Sequence, residues 1–324
     1  MKKITIEEMV KIAREQLQNT LRKFVDPEIE VREEVVLKMN DQKLHGLSIV
    51  LGDDPAPTYY LDEAYQMVQE GADMESMIYE LASQYRANLK SGPQPAEILP
   101  DMSFDTIEER VGLRLVGKDF NKEFLQTVPF EDCGNGYALL CDVQIKASDG
   151  GMFSSIVTND MLKEYGYDMA ALFEAAKENE KEFNPPRLFN PSEILGGDPD
   201  ADACYVLTTE RERFGAIALY LPGTLDMITS FLKEDFYCLP SSLHEFMIVR
   251  ASNVKDPFHL RELVKEANET VVSASEVLSD DPLFYSLETG QLTKVPTFAE
   301  QVSEKADRIS EKLDGKIAVS KLLS

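Results

Sequence analysis

Strands in this chain arrive in pairs joined by tight turns, with helices grouped between the pairs. Strand candidates at 28–38 and 44–51 are followed by a third at 58–61, and Asp53-Asp54-Pro55 marks the turn before the third. A second pair spans 136–146 and 152–157 across Ser148-Asp149-Gly150-Gly151. Further on, 203–208 pairs with 214–220, 235–239 precedes 243–250, and a short hairpin turns at Glu288-Thr289-Gly290. A parallel sheet needs regular strand–helix–strand crossovers, and that alternation is missing. The pattern predicts an α+β fold of antiparallel, hairpin-built sheets with packed helices, in two lobes, plus a C-terminal helix. Lobe boundaries fall in Pro/Gly-rich or composition-shifted stretches, giving 1–95, 104–295 and a helical tail at 296–324.

The helices carry start and stop signals. Thr5 and Glu8 form a capping box ahead of Ile6, Met9, Val10, Ala13, Leu17, Leu21 and Phe24, a single apolar face over 5–24. Helices follow at 62–70, stopped by Gly71, and at 74–90, capped by Asp73, with a buried stripe of Met74, Met77, Ile78, Leu81, Tyr85 and Leu89. Thr158 or Asn159 caps a short helix ended by Gly166, and Asp168 caps the next, 169–182. Later helices are expected at 223–233, 257–270 and 297–313, the last opened by Thr297 and Glu300. Residues 104–128 give mixed signals, and 184–202 read as irregular because of their prolines and glycines.

Charge excludes whole classes of partner. The 324 residues hold 33 Lys and Arg against 58 Asp and Glu, a formal charge of −25. Sequence-independent nucleic-acid binding needs basic residues against phosphate, and docking on an anionic membrane needs the same. Acidic residues that imitate nucleic acid would lie in a stripe, whereas here they alternate with bases, as in Glu7, Glu8, Lys11, Arg14 and Glu15. The four cysteines, Cys133, Cys141, Cys204 and Cys238, form no C-x-x-C pair and sit in or beside apolar runs, which predicts small buried hydrophobes. With no signal-peptide core and no membrane-length apolar run, the expectation is a cytoplasmic protein.

Chemistry-bearing motifs are sparse. No P-loop, G-x-G-x-x-G, H-E-x-x-H or G-x-S-x-G occurs, so no cofactor is expected. Gly134-Asn135-Gly136 is explained by a turn before a strand. Asp198, Asp200 and Asp202 alternate as in a calcium loop, but Ala203 and Thr209 stand where its Gly and Glu belong. Three histidines, His45, His244 and His259, are too scattered to predict a metal site. The densest polar cluster is Pro240-Ser241-Ser242-Leu243-His244-Glu245, between the apolar runs 236–239 and 246–249. Ser241, Ser242, His244 and Glu245 are therefore the candidate binding residues, and Ser242, His244 and Glu245 the candidate catalytic ones. Alternate residues of a strand share a face, yet their side chains stand roughly 6.5–7 Å apart, too far for a working Ser–His pair. The competing reading is a turn in which the serines cap backbone N–H groups.

Several runs closely resemble the bacterial family known as domain of unknown function 5688. They are Leu44-His45-Gly46-Leu47-Ser48-Ile49, Pro57-Thr58-Tyr59-Tyr60-Leu61, Tyr205-Val206-Leu207-Thr208-Thr209 with Gly215-Ala216, Leu239-Pro240-Ser241-Ser242-Leu243-His244-Glu245, and Ala267-Asn268-Glu269-Thr270 with Val277-Leu278-Ser279-Asp280. The likeness runs from about residue 5 to about residue 292, and a fainter one in layout is to domain of unknown function 1444. Thr209 departs from the Asn expected after Leu-Thr, and the tail after about 296 lies outside the resemblance. The resemblance implies a cytoplasmic bacterial α+β protein and supplies no activity. Sequence thus leaves a non-enzymatic binding or interaction protein, with a protein as its expected partner, ahead of a hydrolase or transferase using the Ser-Ser-x-His-Glu turn and of an acidic nucleic-acid mimic.

Overall fold

The computed structural model describes residues 4–52, 58–91, 102–146, 152–192, 204–297, 299, 300 and 303. It is an α+β protein with three antiparallel sheets among these residues. Chain contacts separate two compact units, each assembled from three pieces: Met1–Val111, Asn121–Pro129 and Asp142–Ala175 make the first, and Gly112–Phe120, Phe130–Cys141 and Ala176–Ser324 the second.

In the first unit, α1 (Ile6–Phe24) begins at the capping box, with Thr5 accepting from the Glu8 N–H and Glu8 accepting from the Thr5 N–H. Its apolar face packs on a meander of β1 (Glu30–Leu37), β2 (Lys43–Val50) and β3 (Thr58–Tyr60). Registers such as Val31↔Ile49 and Leu47↔Tyr59 set Val31, Leu47 and Ile49 into one core with Val10, Leu17 and Leu21. Helices α2 (Asp62–Gln69) and α3 (Met74–Ser91) follow, and α3 adds Ile78, Ala82 and Tyr85 to that core. Of the expected stripe, Ile78 and Tyr85 are in this core and Met74 and Leu81 pack at its margin; Met77 is half-buried outside the cluster, Ala82 was not expected, and the Leu89 side chain lies outside the described residues. Phe24 is a correction: the last apolar residue of α1 is 58% exposed, because the core ends at Leu21.

The β1–β2 hairpin turns through Asn40 and Asp41, both left-handed. Asn40 and Asn121 bond each other twice, and the Asp41 carboxylate accepts from the N–H groups of Glu123 and Phe124. These bonds repay the left-handed backbone, which Asn and Asp tolerate best. Elsewhere in this unit, α4 (Phe104–Ile107) is one turn long, and Thr158 caps α5 (Asn159–Tyr165), which ends at left-handed Gly166. Asp168 accepts from the Ala171 N–H at the start of α6 (Met169–Phe183), as the sequence predicts.

The second unit carries a six-stranded sheet of order β13-β12-β10-β11-β9-β8. Its members are β8 (Pro186–Phe189), β9 (Cys204–Thr209), β10 (Phe236–Ser242), β11 (Glu245–Arg250), β12 (Leu283–Ser286) and β13 (Gln291–Lys294). The remaining sheet is built on β4 (Val111–Gly117), β5 (Phe130–Gly134), β6 (Tyr137–Lys146) and β7 (Met152–Ile156). The expected pair 136–146 and 152–157 is β6 with β7, in register Asp142↔Ile156. Gly134-Asn135-Gly136, all left-handed, form the β5–β6 turn. Helices α7 (Thr224–Leu232) and α8 (His259–Thr270) lie where expected, and Ala299, Glu300 and Ser303 belong to the C-terminal helix, capped by Thr297.

Three expectations need correction here. Residues 214–220 are not a strand: Gly215–Tyr220 is a 3-10 helix, and β9 pairs with β8 and β11 instead. Ala216–Leu219 is a continuous apolar run, buried on every side, so it lacks the alternation that separates strand from helix. The stretch 184–202 is not wholly irregular, since Pro186–Phe189 forms β8. A proline is compatible there because β8 is an edge strand. Finally, the polar turn is shorter than expected. Ser241 and Ser242 belong to β10, and only Leu243 and His244 bridge to β11. The Asp198, Asp200 and Asp202 loop lies outside the described residues.

Candidate functional site

The β10–β11 hairpin brings Ser241, Ser242, His244 and Glu245 to one corner of the second unit. Pairing runs from Phe236↔Arg250 to Pro240↔Phe246, then shifts at Ser241 so that Ser242 meets Glu245. The bulge re-aims the corner side chains. Ser241 Oγ donates to Glu245 Oε1 at 3.2 Å, and Ser242 Oγ accepts from the His244 N–H at 3.1 Å. The serine nearest the imidazole is therefore bonded to the backbone of His244, and its hydroxyl oxygen serves as a turn cap.

The corner backbone reaches in two directions. The Leu243 N–H donates to Glu276 O, Leu243 O accepts from the Ala216 N–H, and His244 O accepts from Thr208 Oγ at 2.8 Å. The imidazole repeats this pattern. His244 Nδ1 accepts from the Phe214 N–H at 3.0 Å, and Nε2 lies 3.4 Å from Glu276 Oε1. A backbone N–H can only donate, so Nδ1 carries the lone pair and Nε2 the hydrogen that faces Glu276. A general base would need that lone pair facing a nucleophile; here the Phe214 N–H occupies it.

What the imidazole holds is a strained loop. Glu212 and Phe214 both sit at left-handed φ, 55° and 56°, each costing about 1–2 kcal/mol for a residue with a Cβ. Four bonds fix the loop: Glu210 N–H to Pro185 O, Arg211 N–H to Asn184 Oδ1, Glu212 N–H to Thr209 O, and the Phe214 bond to His244. Arg187 adds an ion pair to Glu212 at 2.5 Å. Asn184 is itself held by buried Glu180, whose other oxygen accepts from the Leu113 N–H. The Phe214 ring stacks on His244 at 5.5 Å between centroids, and the buried Arg114 guanidinium lies 3.6 Å from its centre. Gly215 is required by space: a Cβ there would stand 2.0 Å from Thr208 Oγ and 2.7 Å from His244 O.

The loop displays two arginines. Arg211 and Arg213 are exposed, and among the described residues no carboxylate lies within ion-pair distance of either. Arg213 rests 4.9 Å from the Phe214 ring centre. Thr209 is fully buried, and among the described residues its hydroxyl oxygen has no hydrogen-bond partner.

The corner is legible in the sequence, but Arg114, Phe214, Thr208 and Glu276 sit between 30 and 130 positions from His244 and no local pattern joins them to it. His45 and Asp62, in the first unit, form another pair: Asp62 accepts from the His45 N–H at 2.8 Å and lies 3.3 Å from Nδ1. His259 is exposed beside Glu262. Among the described residues, no group of His, Cys, Asp and Glu could hold a metal ion.

A profile for the Family of unknown function (DUF5688) matches residues 10–287. The fainter likeness to domain of unknown function 1444 gains no support from that match. No curated protein and no solved structure matches the chain.

Proposed function

The chain belongs to the Family of unknown function (DUF5688), and from that premise we propose that it works by binding a protein partner, without covalent chemistry, through the Glu210–Gly215 loop and the Ser241–Glu245 corner. The observation that carries this reading is the loop itself. Two strained, left-handed residues are pinned so that Arg211 and Arg213 stand without carboxylate partners among the described residues, on a chain of net charge −25. Preorganised side chains lose less entropy on docking, and arginine is favoured at the centre of protein interfaces. Glu210 and Glu212 flank the arginines, so the surface alternates in sign and suits a partner of alternating charge, not a uniformly anionic polymer. Direct nucleic-acid binding is not part of the proposal.

A reducing, cytoplasmic setting in a bacterium belongs to the same proposal. The four cysteines are thiols rather than disulfides, which supports that setting. Among the described residues, no helix is long and apolar enough to cross a membrane.

The test uses the full-length protein as bait in bacterial lysate at about 0.05 M and about 0.15 M salt. The expected result is a protein captured by the wild type and lost with Arg211→Glu plus Arg213→Glu, while far-UV circular dichroism and the melting temperature stay unchanged. Equal capture by both, or turnover of a substrate that Ser242→Ala abolishes, overturns the reading.

A further inference from the structure

The first unit carries an apolar groove that the corner does not explain. Helix α1 runs past its own core: Leu21 is fully buried, but Phe24, one turn on, is 58% exposed. Across from it, α3 turns Tyr79 outward at 70% exposure while Ile78 and Ala82 face the core. Phe24, Val25 and Tyr79 line a shallow groove together with the polar side chains of Thr20, Ser83 and Arg86. The opening is formed by two helices and is too shallow to enclose a small molecule or cofactor, so it suits contact with side chains laid over its surface.

Charge indicates what kind of side chains. In a chain with 58 acidic residues, none lines this groove among those described. Lys23 Nζ lies 4.9 Å from the Phe24 ring centre, and among the described residues neither Lys23 nor Arg86 has a carboxylate within ion-pair distance. A second copy of this chain would bring a strongly acidic surface as a whole, at a cost in repulsion between two charges of −25.

We propose that this groove is a second docking site, and that its occupant is an amphipathic helical segment of another protein. The segment lays a leucine- or phenylalanine-sized side chain against Phe24, Val25 and Tyr79. It presents a carboxylate one turn away to Arg86 or Lys23. This is helix-in-groove recognition, with apolar anchors at i, i+3 and i+4 and charge setting the orientation.

The chain contains no tryptophan, so Tyr79→Trp gives a single emission reporter inside the groove. Two synthetic helical peptides serve as probes, both with leucines along one face, one with flanking glutamates and one with lysines in their place. The glutamate peptide is expected to shift the emission to the blue and saturate, binding at least about tenfold more tightly than the lysine peptide. Lys23→Glu plus Arg86→Glu should invert that preference. Calorimetry with the unsubstituted protein checks that the reporter did not create the site. Phe24→Ser should abolish binding without lowering the melting temperature, because Phe24 is already solvated. The proposal is overturned if the peptides bind alike, if the glutamate peptide does not bind, or if Phe24→Ser leaves binding intact. Sedimentation showing a dimer that Phe24→Ser dissociates would also overturn it, since the groove would then be a self-interface.

Discussion

Replacing His244 by alanine takes the acceptor from the Phe214 N–H and the donor from Glu276 in one step. A partly exposed site of this kind should lose about 1–2 kcal/mol in urea unfolding. His244→Asn should recover part of it, because Oδ1 can stand where Nδ1 stands; equal losses from both would show that the imidazole does not brace the loop. Glycines in the same unit separate crowding from backbone strain. Gly215→Ala drives a Cβ into Thr208 and the His244 carbonyl and should cost at least about 2 kcal/mol. Gly134→Ala meets open space at φ +79° and should cost only about 1–2 kcal/mol. If the order of those two is reversed, the packing around the corner is looser than described. Burial, helped by the nearby Asp132 carboxylate, pushes the Cys133 thiol up to about 12. It is therefore protonated across the working pH range, and iodoacetamide at pH 8 should modify it far more slowly than a free thiol. Rapid native-state alkylation at Cys133, located by peptide mapping, would contradict this.

Helix caps were the most legible elements because a cap is a local bargain between residues three apart. Thr5 with Glu8, Thr158, Asp168 and Asp73 all perform the roles their spacing predicts. Thr5→Ala should lower unfolding free energy by about 1 kcal/mol. Asp73 adds a pH signature. Its carboxyl is held below the ordinary range by the Ser76 hydroxyl and N–H. A lowered carboxyl contributes stability above its unfolded pKa and loses it as pH falls through the folded one. The difference in urea midpoint between wild type and Asp73→Ala should thus be present at neutral pH and shrink below about pH 4; a gap that persists at pH 2 would exclude the carboxylate as its source. What stayed illegible was long-range. Nothing local marks Arg114 as the guanidinium against Phe214, or Glu276 as the partner of His244, since loop closure rather than spacing joins them. Complete burial of the apolar run 216–219 erases the very periodicity that distinguishes a strand from a helix.

Across the whole molecule, 58 acidic residues against 33 basic ones make self-repulsion a standing cost of compactness. Salt should relieve it: the melting temperature is expected to rise between about 0.02 M and about 0.5 M sodium chloride, where the Debye length contracts from roughly 20 Å to a few Å. A fall would mean that the surface ion pairs outweigh the excess charge. The class of fold was legible at this scale, because hairpin spacing is a local property repeated along the chain. The composition of the two units was not, because each recruits three separate pieces. That threading has a bearing on how the protein is made. As a nascent chain leaves the ribosome, the first unit lacks its last piece until residue 175 has emerged, and by then two of the three pieces of the second are already waiting outside the tunnel. The first unit cannot finish before pieces of the second have been made, so translation delivers incomplete intermediates, and amino-terminal fragments ending before residue 142 should be clients for chaperones and proteases instead of stable products.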